Sequence, residues 1–251
     1  MKEIIRRIKP EEHLLLFLDY DGTLVPIKKN PELAILHPLR RNSLKRLGKR
    51  VFLCIVSGRS LAEIQRLVAV KDIAYIGNHG LEISYGQRRW VHPEARRIRP
   101  ILRDVLKRIH HKTKDFPGVL IEDKGVTGTI HYRLLDSALW NPLKEIIGKE
   151  VELRSRELKM TEGKRVFEIR PNVEWDKGKG VQQLGGWLAP KEMPLGIYIG
   201  DDQTDEDAFK VFERDAITIL VGQRKNTHAK FRLADVNQVW RLLRALLPLV
   251  S

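Results

Sequence analysis

A chain of 251 residues, 42% hydrophobic and 31% charged, has the make-up of a soluble globular protein large enough for one big domain or two smaller ones. Its longest apolar runs, LLLFL and ALLPLV, are far too short to span a bilayer, and charges throughout the first thirteen residues argue against a secretory leader. A lone cysteine, Cys54, excludes an internal disulfide and suits a reducing cytoplasm, while a net charge of +14 leaves nucleic acid, an acidic membrane surface or an anionic small substrate open as partners.

In chain order, LLLFLD at 14–19 predicts a buried strand that runs into Asp19 and Asp21 of DYDGT. Leu36, Leu39, Leu44 and Leu47 predict a helix among basic residues, and VFLCIVS predicts a second strand. Ser60 followed by Glu63 reads as a capping box, opening a helix with Leu61, Ile64, Leu67 and Val68 turned inward. IAYIGNHG supplies a third strand and a polar turn. Continuous apolar runs separated by amphipathic helices indicate a parallel sheet covered on both faces.

From about residue 92 the pattern changes. Helical periodicity over 95–110 and 137–147, flanked by strand-like VLIED, TGTIHYR, VELRS and RVFEIR, predicts an α+β insertion with an antiparallel sheet. Arg96, Arg97, Arg99, Arg103, Lys107 and Arg108 alternate with Ile98, Ile101, Leu102, Val105, Leu106 and Ile109, the pattern of a solvated helix face. His110 and His111 answer the dipole at that helix's end. The first theme then returns: a helix over GVQQLGGWL, the strand LGIYIG ending in Asp201 and Asp202, a helix capped by Thr204, the strand AITILVG and a final helix VNQVWRLLRALL. The expected architecture is α/β: a Rossmann-like doubly wound parallel core of residues 1–91 and 172–251, with an inserted α+β domain at 92–171.

In an open α/β sheet, ligands gather at the carboxyl ends of the strands. Here those ends carry Asp19-Tyr-Asp21, Ser57-Gly-Arg59, Asn78-His79-Gly80 and Gly200-Asp201-Asp202, with Lys177 opening a helix before the last. Clustered carboxylates need a cation, and hard oxygen ligands without a Cys/His cluster favour Mg²⁺. Ser57 and the amides of Gly22 and Thr23 can donate to phosphate oxygens, and Lys177 adds a compact positive charge. Positioning and charge neutralisation are what phosphoryl transfer requires. One aspartate can attack phosphorus while another manages the proton.

DYDGT, SGR, Lys177 in DKGKG and GDDQTDED, in that order over residues 19–207, resemble the four motifs of the haloacid-dehalogenase phosphatases. VSGRS, GNHGLEI, IEDKG, HYR and VFEIRP extend the likeness over nearly the whole chain to the trehalose-6-phosphate phosphatases. The resemblance implies the haloacid-dehalogenase fold, with Asp19 as the nucleophile of an aspartyl-phosphate intermediate and Asp21 as general acid and base. It implies that Ser57 and Lys177 hold the phosphoryl group. It places Mg²⁺ on the Asp19 side chain, the Asp21 backbone carbonyl and Asp201, with Asp202 and Asp205 supporting through water. The insertion becomes a mobile cap in which Glu122, Lys124 and Glu168 match positions that hold sugar hydroxyls, while Arg59 and His79 reach the disaccharide from the core. One departure is Asp176 before the lysine, where the family usually has asparagine.

The implied reaction is Mg²⁺-dependent hydrolysis of trehalose 6-phosphate, with sucrose phosphate and other glycosyl phosphates as alternatives. A basic nucleic-acid-binding protein on the same scaffold is the contrasting possibility. The clustered carboxylates oppose it, and no interleaved aromatic and basic strand motif appears. Neither a nucleic-acid nor a membrane partner is expected, and a monomer is favoured.

Overall fold

The computed structural model describes residues 1–8, 14–28, 31–163, 165–188, 195–212 and 216–250. In chain order these form α1 (Lys2–Arg6), β1 (Leu14–Asp19), α2 (Pro38–Leu47), β2 (Phe52–Val56), α3 (Leu61–Val68), β3 (Ala74–Gly77), β4 (Glu82–Tyr85) and β5 (Arg88–Val91). There follow α4 (Pro93–Arg97), α5 (Arg99–Lys112), β6 (Leu120–Asp123), β7 (Gly128–His131), α6 (Trp140–Glu152), β8 (Leu158–Gly163) and β9 (Val166–Pro171). The last stretch holds α7 (Lys177–Leu188), β10 (Leu195–Gly200), α8 (Asp205–Val211), β11 (Ile217–Val221), β12 (Phe231–Leu233) and α9 (Val236–Leu246). The chain divides into two compact units, one of Met1–Trp90 with Trp175–Ser251 and the other of Val91–Glu174.

In the first unit the sheet order is β12-β11-β10-β1-β2-β3-β4-β5. From β12 to β3 every pairing is parallel, and β4 runs antiparallel to β3. Taken alone, the parallel strands have the doubly wound order 3-2-1-4-5-6, which reverses direction between β1 and β10. Side chains alternate between the two faces of these strands. Leu16, Leu18, Ile55, Ile197 and Ile219 join the cluster under α2, α3 and α9, while Phe17, Cys54, Val56, Tyr198 and Leu220 join the one under α7 and α8. The doubly wound core expected from the apolar runs is present. The β4–β5 extension of the sheet was not anticipated, because RRWV and EISY are too short and too polar to mark buried strands.

The second unit has a four-stranded sheet in the order β6-β7-β9-β8, antiparallel throughout. Its Ile130, Phe167, Ile169 and Leu158 pack with Leu102, Val105, Ile109, Leu143 and Ile147 of the helices. Two local expectations fail here for identifiable reasons. VELRS is not a strand: Leu143, Ile147 and Val151 keep one apolar stripe, so α6 runs on to Glu152 and the strand forms later, at Leu158–Gly163. The 95–110 helix is broken at Ile98, because Pro100 lacks an N–H and cannot continue a helix from α4. In the first unit, Leu39 of α2 is 72% exposed rather than inward, and α2 buries Leu44 and Leu47 instead.

Candidate active site

The reversal point between β1 and β10 opens a crevice at their carboxyl ends, and the acidic residues meet there. Asp19 closes β1, 4% exposed, and Asp201 follows β10 directly. Tyr20 between the two aspartates of DYD turns into the core, where its hydroxyl donates to the Ala34 carbonyl at 2.6 Å. That inward turn commits Asp19 and Asp21 to the crevice side.

Lys177, the first residue of α7, is buried, and its Nζ lies 2.8 Å from Asp19 Oδ1 and 2.8 Å from Asp205 Oδ1. Asp205 is wholly buried and accepts from four donors: Lys177 Nζ and Tyr198 OH on Oδ1, and the Asp201 and Asp202 amides on Oδ2. Only an ionised carboxylate, with no hydrogen of its own, can accept from four converging donors. Asp205 therefore holds the lysine and the GDD loop directly. Asp202 takes the N–H and hydroxyl of Thr204 on Oδ1 at 2.8 and 2.7 Å. Thr204 thus spends its hydroxyl on Asp202 and makes no side-chain cap to α8.

Asp176, the departure from the family pattern, accepts from the Lys179 amide at 2.8 Å and so caps α7. Aspartate and asparagine serve equally well in that position.

The electrostatics are those of an incompletely neutralised acidic nest. Burial, and then Asp205, Asp201 and Asp202 beyond the pull of Lys177, raise the Asp19 pKa well above the usual range. Burial and the Asp205 and Asp202 charges push Asp201 up to about 7. Burial opposes the Lys177 charge, but Asp19, Asp205 and Asp202 outweigh it and hold the ammonium protonated. One ligand atom from each of Asp19, Asp201 and Asp205 lies within 4.8 Å of the others. Asp19 Oδ2 is buried with no hydrogen-bond partner. At Gly22, φ is +88°, and an added Cβ would fall 2.0 Å from Asp201 Oδ2. An orphaned carboxylate oxygen, a second carboxylate raised by its neighbours and a glycine that clears space between them fit a hard divalent cation. Asp205 fits it least, since its oxygens are already engaged.

Around this nest, Ser57 is buried after β2, and its Oγ accepts from the Arg59 amide at 3.1 Å. Thr23 is fully buried, and its hydroxyl has no partner. Asn78, His79 and Gly80 all have positive φ, at 48°, 54° and 100°. Two non-glycine residues in the left-handed region, followed by a glycine, form a strained turn of the kind that clusters at functional sites. Asn78 N donates to the Arg59 carbonyl and His79 N to the Ser57 carbonyl, so the turn is tied to the SGR loop. The His79 ring lies where a Cβ on Gly58 would be, 2.5 Å from that position, which explains the glycine. Arg59 is 7% exposed. Its Nε and Nη2 donate to Asp21 Oδ2 and Oδ1 at 2.7 and 2.8 Å, and Nη1 pairs with Glu63. Its guanidinium is therefore held between two carboxylates of the core.

In the second unit, Glu122, Thr129, Glu168 and Thr161 form one cross-strand row on the sheet face opposite the helices. Lys124 Nζ lies 3.8 Å from Glu168 and His131 Nε2 lies 3.2 Å from Glu122. Lys124 falls one residue past β6 and reaches across to β9. Thr129 is 2% exposed, and its hydroxyl has no partner. Tyr198, Glu63, Thr129 and His131 were not anticipated as part of either site. Tyr198 reads as core within a strand and Glu63 as a helix cap, and only the folded chain shows whom they meet.

The family model of the trehalose-phosphatases matches residues 17–237. Trehalose-phosphate phosphatase B of Arabidopsis thaliana is 36% identical over 97% of this chain, which spans 68% of that protein. Among solved structures, a trehalose-6-phosphate phosphatase related protein superposes with a TM-score of 0.83 at 31% identity, covering 94% of this chain and 97% of that one. The C-terminal domain of the trehalose-6-phosphate phosphatase of C. albicans gives 0.79 at 26% identity, with 99% and 97% covered.

Proposed function

The chain belongs to the trehalose-phosphatase family, and on that premise we propose that it hydrolyses trehalose 6-phosphate to trehalose and phosphate with Mg²⁺ as cofactor. The observation that carries the reading is the orphaned Oδ2 of Asp19, buried beside a protonated lysine at the reversal point of the sheet. Asp19 Oδ2 attacks phosphorus, forming an aspartyl-phosphate as the bond to the sugar oxygen breaks. Lys177 neutralises charge on the transferring group, and Ser57 with the amide of Thr23 orients it, whereas the Gly22 amide expected to join them donates to the Val25 carbonyl at 2.8 Å. Asp21 gives its proton to the departing sugar oxygen, then takes one from the water that attacks the aspartyl-phosphate. Asp19, Asp201 and the Asp21 carbonyl would hold Mg²⁺, which when bound offsets the charge of these carboxylates and of the phosphate oxygens.

Glu122, Lys124 and Glu168 recognise sugar hydroxyls in this reading, since carboxylates and an ammonium match groups that both donate and accept. Glu122 and Glu168 share the polar face of one sheet, and Lys124 lies 3.8 Å from Glu168, which supports that assignment. Cys54, free and buried, supports a cytoplasmic setting. The test is phosphate release from a panel of sugar phosphates with Mg²⁺ or with EDTA. Trehalose 6-phosphate is expected to show the highest kcat/KM, with no turnover in EDTA. Asp19→Asn is expected to abolish turnover while keeping the wild-type circular dichroism spectrum. Wild-type rates in that variant would refute the nucleophile assignment, and preference for another glycosyl phosphate would refute the substrate.

A further inference from the structure

We propose that Arg59 is a positioning residue for proton transfer, fixing the Asp21 carboxylate in the orientation that serves the leaving oxygen. The proposal rests on the reaction described above and adds to it the means by which the acid is held. Asp21 sits in a turn with its side chain 36% exposed, so without a partner its carboxylate would sample several rotamers. A general acid must instead lie within hydrogen-bond reach of one particular oxygen. The Arg59 fork meets both carboxylate oxygens in parallel, at 2.7 and 2.8 Å. Two bonds of that kind fix the plane of the carboxylate as well as its position.

The fork is itself held at several points. Glu63, in the first turn of α3, pairs with Nη1, and the Glu63 amide is capped by Ser60 Oγ at 3.2 Å. The Arg59 backbone is fixed by Ser57 Oγ on its amide and by the Asn78 amide on its carbonyl, at 3.1 and 2.7 Å. The Tyr20 ring lies 5.7 Å from the guanidinium carbon. Rigid secondary structure thereby reaches an exposed side chain through one buried arginine. Each Asp21 oxygen keeps a second lone pair for the proton it carries. That proton passes to the sugar oxygen as the phosphorus–oxygen bond breaks and the Asp19–phosphorus bond forms.

The test uses aryl phosphates that lack any sugar: phenyl, 4-nitrophenyl and 2,4-dinitrophenyl phosphate. Their kcat/KM values report steps up to departure of the first product, and only poor leaving groups need the acid. Arg59→Lys cannot form the fork. It is expected to lower kcat/KM about 10²-fold for phenyl phosphate and less than about 3-fold for 2,4-dinitrophenyl phosphate. Glu63→Gln, which acts through Arg59, is expected to show the same trend with a smaller amplitude. In an Asp21→Asn background, Arg59→Lys should cost nothing further, because both act on one proton transfer. Uniform loss across the three substrates, additive loss in the double variant, or loss confined to trehalose 6-phosphate would each overturn the proposal. Absence of phosphatase activity in the wild-type protein would refute the underlying reaction instead.

Discussion

Replacing Asp205 by asparagine tests whether the lysine is held in the way described. The change is isosteric, so no cavity forms, yet the site asks for four accepted hydrogen bonds and an amide can accept on only one atom. With the amide oxygen toward Lys177 and Tyr198, the NH₂ group faces the Asp201 and Asp202 amides, leaving two buried donors unsatisfied. With the amide reversed, the loop amides keep their acceptor and Tyr198 can rotate its hydroxyl to accept from the NH₂ group. Lys177 then retains Asp19 alone of its two partners at 2.8 Å. The second arrangement costs less and sets the expectation. One buried ionic hydrogen bond and half of a buried ion pair are lost, about 3 kcal/mol, at the low end of what breaking a buried pair costs. Against a typical total of about 5–15 kcal/mol this is a large fraction. Urea unfolding followed by tryptophan fluorescence reads it well, since Trp90, Trp175, Trp187 and Trp240 lie in the first unit and only Trp140 in the second. The released lysine should also lower kcat by at least about 10-fold. A shift below about 1 kcal/mol together with wild-type kcat would refute the argument.

Other consequences are open to measurement. Gly22→Ala adds a Cβ where Asp201 Oδ2 lies, at a positive φ, so the Mg²⁺ concentration for half-maximal activity should rise at least about 10-fold. An unchanged Mg²⁺ titration would separate Gly22 from the cation site. Glu150 of α6 bonds Lys112 and Arg108 of α5, and these hold its pKa below the usual glutamate value. Its contribution is therefore complete above the ordinary glutamate range and fades as pH falls through the depressed folded value. Glu150→Gln should cost about 1–2 kcal/mol at pH 7, and the difference from wild type should shrink on acidification in thermal melts. Thr129→Val exchanges a buried hydroxyl without a partner for a methyl group, so the melting temperature should hold or rise; a fall of several degrees would show that the hydroxyl is satisfied. Glu122→Ala and Lys124→Ala should raise KM for trehalose 6-phosphate far more than for 4-nitrophenyl phosphate, and equal effects would remove these residues from sugar recognition.

What could be read from the sequence was whatever is written locally. LLLFLD, VFLCIV and LGIYIG are apolar without interruption because both faces of their sheet are covered, and each announces its own end with a polar group. Hence Asp19, Ser57, Lys177 and Asp201 were legible one at a time, before the fold brought them together. The pairings escaped, because they join segments far apart or spend a side chain unexpectedly. Nothing near Arg59 says that Asp21 will claim its guanidinium, and nothing near Asp205 says that four donors will converge on it. In the second unit the mistakes were about where regular structure stops. β8 is LKMTEG, with few β-formers, and its strand character comes from pairing with β9 rather than from propensity.

The pairing of β1 with β10 also sets an order of events during synthesis. Leu14 lies opposite Leu195, so the central strand of the first unit waits for a neighbour about 180 residues later, roughly 10–40 s at ordinary elongation rates. Until then one edge of β1 has no partner, and unpaired strand edges invite association with other chains. The residues of the second unit, Val91–Glu174, are all translated within that interval. Asp19 likewise leaves the ribosome 158 residues ahead of the lysine that meets it. A chain truncated before residue 175 would carry the attacking carboxylate without its counter-charge, and the exposed edge of β1 with it.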